Sequence, residues 1–197
     1  MSRKSVSILL GVAVGALLSA SAAVAQTDTS KSSMGQKPSS PLAKSDASFL
    51  KKAAAGGVEE VELGRLAAEK ASDPDVKKFG QRMVDDHSKA NGELMKLAQQ
   101  KGVAVPSAPD AKGQQDIDRF SKLSGAAFDK AYMKEMVSDH KKDVAEFEKA
   151  ARGAKDPDVK SFASSKLPTL KEHLEMAKAD HARIAGNAKA ARTTKTS

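Results

Sequence analysis

Four side chains in this sequence combine the right chemistry with the right spacing to form a site: Glu60, His87, His140 and His173. Two of the histidines close near-identical blocks, Met83-Val84-Asp85-Asp86-His87 and Met136-Val137-Ser138-Asp139-His140, at an offset of 53 residues (140 − 87). The same offset places Phe79 on Tyr132 and Leu94 on Phe147. An aromatic residue, a Met, a His and a second large apolar residue therefore recur at spacings of four, four and seven. A helix of about 3.6 residues per turn puts all of them on one face, so each imidazole points towards a core. Imidazole nitrogen and carboxylate oxygen are donors for a transition-metal ion, here at most one ion of Zn, Fe, Mn or Cu. The alternative is a buried polar network in which Glu60, the imidazoles and the Tyr132 hydroxyl satisfy one another and fix helix register. The sequence leaves both open.

Other chemistries find no support. The chain has no Cys, no Gly-x-Ser-x-Gly, no His-Glu-x-x-His and no glycine-rich phosphate loop, so a non-enzymatic protein is expected. Asp86, Asp139 and Glu172 each precede a core histidine. Adjacent helical positions point about 100° apart, so these three acids read as solvated. His181, beside Asp180 late in the chain, reads as a surface residue.

Four long helices are needed to hold these groups. The first is expected over about Asp46 to Ala71, with Asp46 as its cap and a stripe of small residues (Ala53, Gly57, Gly64, Ala67, Ala71) that Glu60 interrupts. Glycine costs about 1 kcal/mol against alanine inside a helix, so its recurrence on one face implies close approach by a neighbour. Asp73-Pro74 starts the second helix, which runs to about Lys101. After a crossover containing Pro106, Pro109 and a short helical turn near Ile117–Leu123, the third helix spans about Gly125 to Arg152. Asp156-Pro157-Asp158-Val159 then repeats Asp73-Pro74-Asp75-Val76 at an offset of 83 residues (156 − 73) and begins the fourth, which ends near Ile184 before Gly186-Asn187. Pro168 lies inside it and should bend it. Two hairpins joined by a longer crossover give an all-α, antiparallel four-helix bundle over residues 46–185. Glu60, His87, His140 and His173 all fall near mid-helix, and in an antiparallel bundle the midpoints share one level.

The ends of the chain speak to its address. Residues 1–25, with Arg3-Lys4, an apolar run and Ala23-Val24-Ala25, have the pattern of a cleaved secretory signal, and residues 26–45 read as a disordered polar leader. The apolar run is shorter than the ~20 residues of a membrane span. A periplasmic or secreted protein is expected, without a transmembrane span in the mature chain. Its net charge falls from +8 to +6 (8 − 2) when Arg3 and Lys4 leave with the signal. Basic and acidic residues are interleaved and aromatics are only 4%, so no nucleic-acid partner is expected. Residues 186–197, a basic tail expected to be disordered, could make weak contact with anionic headgroups or peptidoglycan.

The blocks Glu60-Val-Glu-Leu-Gly-Arg-Leu-Ala67, Met83 to His87, Phe128-Asp-Lys-Ala-Tyr132, Asp139-His140 and Leu167-Pro-Thr-Leu-Lys-Glu-His173, in this order over about Ala47 to Ala182, resemble the bacterial exported family called domain of unknown function 4142. That family often carries an outer-membrane label. The resemblance implies a ferritin-like bundle behind a signal peptide and supplies no activity. Ferritin-like di-iron sites take a Glu from each of two helices and a Glu-x-x-His from each of the other two. Here the residues three before His87, His140 and His173 are Val84, Val137 and Leu170, so the six-ligand site is missing. The resulting expectation is a non-enzymatic envelope protein with a core Glu/His cluster, a stress-related role being one form of it, or a mononuclear metal-binding or redox protein that uses the cluster.

Overall fold

A computed structural model describes residues 41–193. The expected signal peptide, and the leader up to residue 40, lie outside the described residues, as do the side chains of the basic tail. Among the described residues the protein is all-α, with α1 (Lys44–Lys70), α2 (Pro74–Gln100), α3 (Ala111–Ser121), α4 (Gly125–Gly153) and α5 (Pro157–Thr193) and no strand. No helix among them is long and apolar enough to cross a membrane.

Capping starts two of the long helices as their sequences dictate. The Asp73 carboxylate accepts from the backbone N–H groups of Asp75 and Val76, and Asp156 accepts from those of Asp158 and Val159. Asp46 does something different from the capping expected of it. α1 begins earlier, with Ala43 at the cap position and no side-chain hydrogen bond there. Asp46 instead accepts from the backbone N–H groups of Lys155 and Asp156, both at 2.8 Å, and so ties the start of α1 to the α4–α5 connection. Asp129, near the start of α4, does the same for the α1–α2 connection, accepting from Ser72 N–H at 3.0 Å and Asp73 N–H at 3.1 Å.

Packing pairs α1 with α2 and α4 with α5, and sets the short α3 against α1. The stripe of small residues is explained by a backbone-on-backbone crossing. A Cβ added at Gly64 would lie 2.7 Å from the Gly80 carbonyl oxygen, and one added at Gly80 would lie 2.6 Å from the Ala67 Cβ. Two apolar clusters result. The first holds Leu63, Val76, Phe79, Met83, Phe120, Phe128, Tyr132 and Met136, and the second holds Leu50, Ala54, Leu94, Leu97, Val159 and Phe162. Along α1 and α5 the chain passes from the second cluster to the first, and along α2 and α4 it passes the other way.

Two expectations need correction. The crossover helix is longer than a turn: Asp110 caps it by accepting from Gly113 N–H, it starts at Ala111, and it buries Phe120 fully. The helix stop expected at Gly186-Asn187 is absent, because α5 runs on to Thr193 through Ala188, Ala190 and Ala191, whose helix propensity offsets the roughly 1 kcal/mol cost of one glycine.

Candidate metal centre

One helix supplies each of the four expected site residues: α1 brings Glu60, α2 His87, α4 His140 and α5 His173. In sequence, each lies between the residues its helix gives to the two apolar clusters. All four are buried, His140 completely and His173 to 1% exposure. The imidazole centroids are 5.7 Å apart for His87 and His140, 5.4 Å for His87 and His173, and 5.3 Å for His140 and His173. One ring nitrogen of each lies within 4.8 Å of the other two.

Each ring is oriented from outside by an acceptor. His87 Nδ1 is 2.9 Å from Glu60 Oε2, His173 Nε2 is 2.8 Å from Asp86 Oδ2, and His140 Nδ1 is 3.1 Å from the Met136 carbonyl. The Met136 carbonyl and the Asp86 carboxylate can only accept, so His140 Nδ1 and His173 Nε2 carry protons, and His87 Nδ1 carries one when Glu60 is ionised. In a neutral imidazole the other nitrogen is then a bare lone pair. Those are His87 Nε2, His140 Nε2 and His173 Nδ1, all buried and without any hydrogen-bond partner, and Glu60 Oε1 is in the same condition 3.5 Å from His140 Nε2.

Burial keeps the rings neutral. It pushes His87 and His173 down to about 4, against which the Asp86 hydrogen bond to His173 works in the opposite sense, and it lowers His140 as well. Burial also raises Glu60 to about 7, opposed by the neighbouring His140. At neutral pH three neutral imidazoles therefore face one another. Of the polar-network alternative, the Glu60–His87 pair is present. The Tyr132 hydroxyl is buried without a partner too.

Two residues of the site escaped the sequence reading. Asp86 is partly solvated, but it is not only that. It diverges from its neighbour His87, as adjacent helical positions do, and this divergence aims it across to α5 and His173. Burial works to raise it, but hydrogen bonds from His173 and Arg82 together hold its carboxyl below the usual range. Glu172 reads as expected, exposed and paired with Arg82 at 2.8 Å, whereas Asp139 is largely buried and pairs with Lys142 at 2.8 Å. The second missed residue is Asp143, which joins Glu60 and His140 as a ligand-competent group within 4.8 Å; burial, then the Glu60 carboxyl, raise its pKa well above the ordinary value. Two signals pointed to it: it follows His140 by three residues on the same face, and the 83-residue offset carries Glu60 onto it (143 − 60). His181 is half-buried and belongs to neither ligand group.

With this geometry in place, comparison with known proteins gives a family and a fold. The family described as "Domain of unknown function (DUF4142)" matches residues 31–179, and the chain belongs to it. No curated protein matches the chain significantly. Among solved structures it is similar to a DUF305 fragment from Deinococcus radiodurans, with a TM-score of 0.63 at 13% identity over 73% of this chain and 99% of that one. It is also similar to CopM in its Cu(II)-bound form, with a TM-score of 0.60 at 17% identity over 70% and 96% of the two chains, and to CopM in its Cu(I)-bound form, with a TM-score of 0.57 at 17% identity over 68% and 92%. At these identities the likeness is one of fold.

Proposed function

We propose that this member of the DUF4142 family is an exported, non-enzymatic metal-binding protein whose four long helices form an antiparallel, ferritin-like bundle around a single transition-metal ion. The opposite order of the two apolar clusters along α1 and α5 and along α2 and α4 supports the bundle. His87 Nε2, His140 Nε2 and His173 Nδ1 would hold the ion, and Glu60, which meets His87 at Nδ1, would supply negative charge beside it. The observation that carries this reading is the convergence of the three histidines, one ring nitrogen of each within 4.8 Å of the other two, with His87 Nε2, His140 Nε2 and His173 Nδ1 buried and unpartnered. Leaving one buried polar atom unsatisfied costs about 1–3 kcal/mol, so three in one place are costly unless a cation accounts for them together. The outer partners add to this, since metal-binding histidines characteristically donate their second N–H to a carboxylate or a backbone carbonyl.

The donor set narrows the choice of ion. Imidazoles suit Zn, Cu and Fe, carboxylates suit Mn, and affinity rises along the first row to Cu. Copper and zinc therefore lead, and copper is the metal the two CopM structures hold. A bound ion would supply positive charge to the three lone pairs, and copper would add one-electron redox capacity. Export rests on the signal pattern in residues 1–25, which places the metal in the periplasm or outside the cell.

Dialysis of the full chain against Cu(II), Zn(II), Fe(II) and Mn(II) in turn, followed by elemental analysis, tests the reading. The native protein should retain about one equivalent of at least copper or zinc. A His87→Ala, His140→Ala double variant should retain none. Equal retention by both proteins, or none by the native one, rules the site out.

A further inference from the structure

A cavity of about 260 Å³ opens beside the imidazole cluster. Glu60, His87 and His173 are its buried floor, Gly56 of α1 and Ala90 of α2 form walls, and the exposed Lys89 stands at its rim. His140 is not among its lining residues, so that ring backs the cluster on the closed side. Metal sites that serve only structure are closed by protein ligands, whereas those that meet a reactant keep a position open to a cavity. Here the open side is built in.

We infer that a metal held by the three histidines presents an open coordination position to this cavity, and that the position takes a small exogenous anion with an oxygen or nitrogen donor. The inference rests on the metal-binding reading above. Size and charge give the ligand class. Liquid water takes about 30 Å³ per molecule, so the cavity has the room of several waters, below the range of about 300–1,000 Å³ for drug-sized ligands. A divalent ion among three neutral imidazoles supplies the attraction for an anion; of the other acids lining the cavity, Asp86 is paired with Arg82 and Glu146 with Lys52, and Lys89, which forms no ion pair among the described residues, offsets Asp143.

Gly56 provides a plug that leaves the ligands alone. A Cβ built there meets no heavy atom within 4 Å, and the residue lines the cavity, so the side chain of Gly56→Leu has space that the anion would otherwise use. Replacing a helical glycine by leucine also favours the helix, so the variant should fold. Gly92→Leu is the control, because a Cβ there is equally free and the residue does not line the cavity.

Full-length protein loaded with Cu(II) is titrated with azide and, separately, with acetate, reading the azide-to-copper charge-transfer band and the shift of the copper d–d absorption. Both anions should bind the native protein and the Gly92→Leu variant with matching affinity, and Gly56→Leu should bind copper at the same stoichiometry while binding azide about tenfold or more weakly. Stoichiometric copper with no spectral response to either anion overturns the open position and leaves the metal site standing. An unchanged azide affinity in Gly56→Leu overturns the cavity as the route. Failure of the native protein to take up copper is a different result, one that removes the metal-binding reading and this inference with it.

Discussion

Glu60 is held between two demands. Without a metal, burial favours its protonated form and moves its pKa from 4.5 to about 7, while a bound ion needs the carboxylate. Between pH 4.5 and 7 the folded protein holds a proton there that the unfolded chain has released, so Glu60's contribution is present below 4.5 and lost as pH rises through 7. The buried histidines act with the opposite sign. His87 and His173 stay neutral in the folded state down to about 4, so acidification from 6.5 to 4 loads protons onto the unfolded chain first and removes stability. Glu60→Gln isolates the first effect. In metal-free protein it should match the native chain near pH 4.5 and exceed it by about 2–3 kcal/mol at pH 8, measured by urea unfolding. A difference that does not change with pH would show that Glu60 is not the strained group described. Metal affinity of the native protein should run the other way and strengthen from pH 5 to pH 8, because every donor must be deprotonated to bind.

Among the helices, the α1–α2 and α4–α5 pairs are fastened by an exchange of carboxylates. Asp46 of α1 holds the α4–α5 connection and Asp129 of α4 holds the α1–α2 connection, and the two are themselves 83 residues apart (129 − 46). Each accepts two backbone N–H groups that would otherwise be left near helix starts, so Asp46→Ala and Asp129→Ala should each cost about 1–3 kcal/mol. The two should cost about the same, since Ser45 Oγ also donates to Asp46 and Ser72 Oγ to Asp129. Thermal melts that show neither variant moved would mean that solvent replaces these bonds freely. The start of each hairpin's second helix was legible beforehand because Asp-Pro-Asp-Val is a local signal, and the inward faces were legible because periodicity is local too. The roles of Asp46 and Asp86 were not, because their partners lie 109 and 87 residues away and no spacing along one helix encodes them. Asp143 stood between these cases. The 83-residue repeat seen at Asp73 and Asp156 reaches it from Glu60, but only once that repeat is extended beyond the capping box to the whole hairpin.

For the molecule as a whole, the polar cluster lies between two apolar clusters, and its cost must be borne by them whenever no cation is present. An ion that binds only the folded chain adds RT ln(1 + [L]/Kd), about 2.7 kcal/mol at a free concentration one hundred times Kd. For a domain of this size 1 kcal/mol moves the melting temperature by about 2–4 °C, so removing the ion with a chelator should lower it by about 5–10 °C. The His87→Ala, His140→Ala variant should melt at the same temperature with and without chelator. Its metal-free melting point relative to the native chain separates the two accounts of the cluster. If the four groups were a satisfied network fixing helix register, deleting two rings would break it and leave cavities, so the variant should melt well below the metal-free native protein. If instead they are a metal site held apart by unmatched lone pairs, part of that loss is returned by relieving two buried nitrogens, and the gap should be small beside the chelator effect. Chelator-insensitive native protein, after exposure to copper and zinc, together with a large loss in the double variant, would leave the network as the account of Glu60, His87, His140 and His173.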